Sequence, residues 1–383
     1  MGRQRYGIGK QDFVSLRERN FVYIDKTQYI ANLLEGSDLY FLSRPRRFGK
    51  SLFLSTLEQF FRGRRDLFKG LAIDSYPWDW QEYPIVKISF GMGSFHKEGG
   101  LVERIDDILK DIENEYNIKG EGVTSSIRFK SLIVQLKEKF NKGVIVLVDE
   151  YEKPLLDTYG EEIFESNRTE LAQFYSVIKD NTEKIRLLFI TGVTRFGRLN
   201  IFSGLNNLQD ISLWEDFTSI CGITQQEIEE NLMPGVEEFA IKRGYTCKEA
   251  LEKLKSYYDG YHFSEDLTDI YNPWSLLNCL SQKRLMSEWS SSGTSTYLFK
   301  ILRKRNFELD KLLGTKVRER DLSGLDADMM NPITLLYQSG YLTIKSYNAV
   351  SNNYTVAIPN YEVRTALLEA IVPYYLGKEE KIN

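Results

Sequence analysis

The chain has 383 residues, 42% of them hydrophobic and 27% charged, the balance of a folded globular protein rather than a disordered one. At roughly 100 to 200 residues per domain, that length accommodates two or three domains. Fifty Lys and Arg against 54 Asp and Glu give a net charge of −4, which excludes wholesale polyelectrolyte binding of nucleic acid and leaves only local basic patches.

Three widely spaced cysteines, Cys221, Cys247 and Cys279, make neither a CxxC pair nor an even set and read as buried thiols in a reducing compartment. With two histidines, His96 and His262, zinc chemistry is not expected. The N-terminal MGRQRYGIGK lacks an apolar signal core, and no apolar run approaches the ~18 residues of a membrane span. A cytoplasmic protein without membrane contact is expected.

In chain order, four strands are predicted at Asp38–Ser43, Pro84–Phe90, Val144–Asp149 and Ile185–Gly192, the last two almost wholly apolar, as strands buried on both faces are. Helices are predicted at Ser51–Arg62 and Leu101–Glu115, and from a capping box at Asn167–Glu170 through Lys179. The alternation points to an α/β fold with a parallel sheet and helices on both faces. After about Thr224, short capped helices take over: a capping box at Thr224–Glu227, a helix at Lys248–Tyr257, and Asn272 capping a helix that opens with Pro273. A helix from about Asn331, β runs at Tyr341–Ser346 and Tyr354–Ile358, and a last helix from Tyr361 suggest a winged-helix-like segment. The expected domains are a core at 1–223, a helical lid at 224–325 and the winged-helix-like segment at 326–383.

The strongest local signal is Arg44-Pro45-Arg46-Arg47-Phe48-Gly49-Lys50-Ser51, between the first strand and its helix. Set against the phosphate-binding pattern GxxxxGK[ST], Gly49, Lys50 and Ser51 match, and Arg44 replaces the first glycine. Loop amides and the helix N-terminus would cradle phosphates, Lys50 would reach the β and γ oxygens of ATP, and the Ser51 hydroxyl would ligate Mg²⁺. Arg44, Arg46 and Arg47 add positive charge there, and Pro45 biases Arg44 to extended backbone. The strand VIVLVD ends in Asp149 and is followed by Glu150; in ATPases of this build the first carboxylate holds the metal shell and the second polarises the attacking water. At the end of the next strand, ITGVTRFGR offers Thr191 or Thr194 as a γ-phosphate sensor and Arg195 or Arg198 as a source of transition-state charge. The Glu379–Lys381 E-x-K lies in a polar tail without the strand a nuclease carboxylate needs, and His262 reads as a hydrogen-bonded loop residue.

YIDKT (Tyr23–Thr27), RPRRFGKS, LVDEYEK (Leu147–Lys153), TGVTR (Thr191–Arg195), IFSGLNNL (Ile201–Leu208) and NPWSL (Asn272–Leu276) together resemble the bacterial AAA-ATPase-like family. The resemblance implies an ASCE-type P-loop NTPase core, a helical lid and a winged-helix-like segment. It also implies that Lys50 and Ser51 serve phosphate and Mg²⁺, Asp149 the metal and Glu150 the water. Many members of that family continue into a C-terminal nuclease-like domain; this sequence stops about where one would begin, so the expectation is either a trimmed chain or a protein without the nuclease. The leading expectation is a Mg²⁺-dependent ATPase working as a nucleotide-driven switch, controlling a nuclease domain or another nucleic-acid-processing partner, with an oligomer allowed. The alternative is a nucleotide-stabilised binding module for protein or nucleic acid with little turnover. A small-molecule kinase is less favoured, because the Asp-Glu pair suits activated water.

Overall fold

The computed structural model describes residues 4–194, 207–289, 314–323 and 331–375, with 201, 202, 205, 302, 308, 311 and 312 between them. Strands β1 (Leu39–Ser43), β2 (Ile85–Ser89), β3 (Val144–Asp149), β4 (Ile185–Gly192) and β5 (Gln209–Asp210) form one sheet in the order β2-β3-β4-β1-β5. Every pairing in it is parallel. The first five residues of β3 and all but one of β4 are buried, which is why both strands read as continuous apolar runs. β5, only two residues long, carries no such run and is visible only through its pairing with Tyr40 and Phe41.

The chain crosses from β1 outward to β2 and then steps back through β3 to β4. Right-handed crossovers therefore put helix Lys50–Phe61 on one face and helices Gly100–Tyr116, Ser125–Phe140 and Phe164–Lys179 on the other. The last three pack on one another. Helix Phe164–Lys179 begins three residues before the expected capping box. Asn167 lies inside it and is buried, donating through Nδ2 to Phe95 O at 3.1 Å and to Thr158 Oγ1 at 3.4 Å; a tertiary contact has taken the side chain that local pattern assigns to a cap.

Beyond the sheet, the box at Thr224 and Glu227 is present, with both reciprocal hydrogen bonds, on helix Gln225–Asn231. A second box at Thr246 and Glu249 opens helix Cys247–Tyr258, and Asn272 caps helix Pro273–Gln282. Cys247 is exposed, unlike Cys221 and Cys279, because it occupies the first, solvent-facing position of its helix. These helices share a core of their own from Ile223 to Leu280. Strands β6 (Ile223–Thr224) and β7 (Ile270–Tyr271) pair at its edge. Further on, β8 (Thr315–Arg318), β9 (Thr343–Asn348) and β10 (Asn353–Ala357) form an antiparallel sheet in the order β8-β10-β9. Helices Pro332–Gln338 and Tyr361–Tyr375 flank it. Ile344 and Val356 of this sheet, with Leu335 and Leu336 of helix Pro332–Gln338, join the core of the parallel sheet. Among the described residues, no helix is long and apolar enough to cross a membrane.

Candidate nucleotide site

Because β4 lies between β1 and β3, the loop after β1 and the carboxylates after β3 meet across one strand. Leu42 is paired with Thr191, Ser43 with Gly192, and Val148 with Ile190, so Leu42, Thr191 and Asp149 are level near the carboxyl edge of the sheet, with Ser43 and Gly192 one residue beyond. That edge is where open parallel sheets bind ligands.

The loop leaves β1 without turning: Arg44 N donates to Gly192 O at 3.2 Å, extending the ladder by one residue. Arg47 has φ +70, and Gly49 has φ +103 as the residue capping helix Lys50–Phe61. A Cβ on Gly49 would meet nothing within 4 Å, so backbone conformation rather than space requires glycine there. Lys50 is buried, and its Nζ donates to Arg44 O at 2.8 Å and Pro45 O at 3.0 Å. Burial lowers its pKa, opposed chiefly by the charge of Asp149 and then Glu152.

Arg44 departs from the sequence reading. Its side chain is 1% exposed and turned away from the loop's cavity. It donates to Ser43 O at 2.9 Å, Ser212 O at 2.7 Å and Phe217 O at 3.0 Å, and lies 4.3 Å from the Phe263 ring centroid. The expected positive charge toward phosphate does not come from this residue, because backbone carbonyls have taken it. Phe48 is buried edge-on to Tyr261 and Phe263 while still lining the cavity. Arg46 and Arg47 do line the cavity, and Arg47 lies 4.1 Å over the Trp274 ring.

On the opposite side of β4, Asp149 Oδ1 accepts from Thr191 Oγ1 at 2.7 Å. Glu150 has φ +54 and reaches the cavity. Of the two candidate sensors, Thr191 is the one brought to Asp149. Thr194 is fully buried, and its hydroxyl has no partner among the described residues; the chain turns inward after Gly192 and carries it away. Arg195, Arg198 and Glu379–Lys381 lie outside the described residues. His262 is a buried junction residue, with Nδ1 2.6 Å from Ile344 O and Nε2 2.8 Å from Asp269 Oδ1.

The cavity, about 460 Å³, is lined by several separate parts of the chain, Glu150, Val193 and Ile220–Ile223 among them, and three of them form its main walls. Residues 46–53 form one wall, Gly7–Gln11 with Val22–Ile24 and Lys26 a second, and Pro273, Trp274 and Leu277 of the helical region a third. Gly9 has φ +71, and a Cβ on it would fall 2.8 Å from the Trp274 ring, so this backbone packs flat against the indole. Lys26 is buried and paired with Glu227 at 2.5 Å, tying the YIDKT segment to the first capping box beyond the sheet. Sequence reasoning missed Lys26, Glu152 and Trp274 as site residues, although each lies in a motif that carries the family resemblance. Chain distance hid the Lys26–Glu227 pair, and a lone tryptophan or third carboxylate has no spacing signature.

The Ser51 hydroxyl lines the cavity, whereas the Asp149 carboxylate lies beside it, held by Thr191; both are hard oxygen donors of the kind a divalent cation takes. Among the described residues no group of three His, Cys, Asp or Glu could hold a metal by itself.

A family described as Predicted AAA-ATPase matches residues 6–202 of this chain. An uncharacterized protein from the vnfD 5' region of Azotobacter chroococcum mcd 1 is 34% identical over 390 residues, covering 100% of this chain and 72% of that protein. Among solved structures, the ORC2 protein of Aeropyrum pernix, in ADPNP-ADP complexes, aligns with 92% of this chain and 93% of its own at 11% identity and a TM-score of 0.33.

Proposed function

The chain belongs to the predicted AAA-ATPase family, and from that premise we propose that it binds ATP with Mg²⁺ in the cavity above β1 and β3 and hydrolyses it as a switch. The observation that carries this reading is the convergence of Gly49-Lys50-Ser51 at a helix N-terminus with Asp149 and Glu150 across the strand that bears Thr191. The phosphates would lie over the loop amides, where the helix dipole and Lys50 favour negative charge. Lys50 would exchange the carbonyls of Arg44 and Pro45 for phosphate oxygens. The base would lie at the far end, against Trp274 and Leu277. Ser51 and Asp149 would hold Mg²⁺, which when bound supplies charge compensation to the phosphates. Glu150 would take the proton of the attacking water, and Thr191 would hold Asp149 in place through its hydroxyl.

In this reading residues 1–223 are the ATPase core, 224–325 the lid and 326–383 a winged-helix-like segment. Because the cavity has walls from both the core and residues 273–277, binding and loss of the γ-phosphate would change how the two regions are held. A partner or nuclease domain would be controlled through that change. The test is calorimetric titration with ATP and Mg²⁺ together with phosphate release in the absence of an added acceptor. Binding with phosphate release is expected; no ATP binding would remove the reading, and transfer only to an added hydroxyl acceptor would make the protein a kinase.

A further inference from the structure

The turn after β3 carries a third carboxylate, Glu152, which faces neither solvent nor cavity. It is 2% exposed. Its Oε1 accepts from the backbone N–H of Val193 and, at 3.3 Å, from that of Thr194. Its Oε2 has no partner among the described residues. A Cβ on Gly192 would fall 2.4 Å from Oε2, so only glycine lets the carboxylate approach the strand end so closely. Three more hydrogen bonds join the same two segments. Thr191 Oγ1 donates to Asp149, Tyr151 N donates to Thr191 O at 3.3 Å, and Tyr151 OH donates to Thr194 O at 3.0 Å. Asp149–Glu152 and Thr191–Thr194 are thereby clasped along their length, and Glu150 projects from the clasp in left-handed backbone that a non-glycine residue adopts only when its surroundings impose it.

Desolvating a carboxylate and leaving one oxygen unpaired is costly, and a site that needed only to cap two amides could use a neutral acceptor. Burial pushes this carboxyl up to about 7, opposed by the Val193 N–H and the Lys50 charge; ionised above that pH, it strengthens both N–H bonds and so stiffens the frame that aims Glu150 and Thr191. We infer that Glu152 is a positioning residue for hydrolysis: it locks the end of β4 to the Asp149–Glu150 turn, and its loss uncouples ATP binding from turnover. This rests on the ATPase reading above.

The test compares wild type with Glu152→Gln, an isosteric neutral change, at about pH 8, above the carboxyl's raised value of about 7. ATP affinity with Mg²⁺ is measured by calorimetry, single-turnover phosphate release by quench, and amide exchange on the peptide containing Val193 and Thr194. The expected result is affinity within about threefold of wild type, a rate at least about tenfold lower, and faster exchange at those amides only. Equal rates and equal exchange would overturn the inference while leaving the ATPase reading intact. So would a parallel loss of affinity, rate and melting temperature, which marks a merely structural residue. A wild-type chain that binds no ATP would instead remove the ATPase reading and the inference with it. If the wild type binds ATP but does not turn over, unaltered exchange in Glu152→Gln still counts against the lock.

Discussion

Arg44 and Lys50, the two cations at the ends of one loop, are held together through a backbone atom: Lys50 Nζ donates to Arg44 O at 2.8 Å while the Arg44 guanidinium points the other way, into the carbonyls of Ser212 and Phe217. One charge is available to a ligand after a side-chain rotation, and the other is fixed in the protein. Lys50→Ala is therefore expected to abolish ATP binding, and calorimetric titration of both forms, with melting temperatures to confirm that each is folded, checks it; unchanged affinity would remove the loop assignment. Arg44→Met should instead destabilise the fold by at least about 2 kcal/mol, because several buried carbonyls lose their donor. Urea unfolding measures that loss.

Glu150→Gln is expected to keep ATP binding and lose hydrolysis, since the amide retains size and hydrogen bonding but cannot accept the water proton. Asp149→Asn should shift the Mg²⁺ dependence to higher concentration, because a neutral oxygen holds a hard cation less tightly. Steady-state phosphate release across a Mg²⁺ titration distinguishes the two; wild-type release in Glu150→Gln would place the base elsewhere.

Trp274 closes the cavity opposite the loop and stacks under Arg47 at 4.1 Å. Trp274→Ala should weaken ATP binding by about tenfold, the loss expected for one aromatic wall against a base. Affinity for inorganic triphosphate should be far less affected. Equal losses for the two ligands would place the base away from the indole.

Glu362 is fully buried, far along the chain from this site, with Oε1 accepting from Ser275 Oγ at 2.8 Å and from the N–H groups of Glu288 and Trp289 at 2.7 and 3.1 Å. Burial pushes its carboxyl up to about 7 from 4.5, against those donors and with the Glu288 charge adding to the rise. Tyr258, Tyr261 and Cys279 are the other titratable groups that feel it. Because the folded value lies above the unfolded one, this group's contribution is fully present below the unfolded value and is lost as pH rises through about 7. Glu362→Gln cannot ionise, so its melting temperature relative to wild type should rise between about pH 5 and pH 8, by the equivalent of up to roughly 3 kcal/mol. A difference independent of pH would show that the carboxyl does not titrate there.

Residues close in sequence determined much of this protein by themselves. The apolar runs of β1 to β4, the strand-loop-helix at Arg44–Ser51 and the Asp149–Glu150 pair were all legible, because strand burial, a helix N-terminus and a strand-end carboxylate are properties of a few consecutive residues. So were the caps at Thr224 and Asn272. What the sequence left open was the direction in which side chains turn once the strands are in order. The motif places Arg44 beside phosphate, yet carbonyls more than 160 residues away claim its guanidinium. Local pattern cannot choose between Thr191 and Thr194; β3 lying beside β4 brings Thr191 to Asp149 and lets the chain bury Thr194. Likewise Glu152 became a clasp only because Val193 and Thr194 arrive with unpaired N–H groups. Hydrogen bonds and burial of this kind depend on which segments end up adjacent, and that adjacency is set by packing the whole sheet.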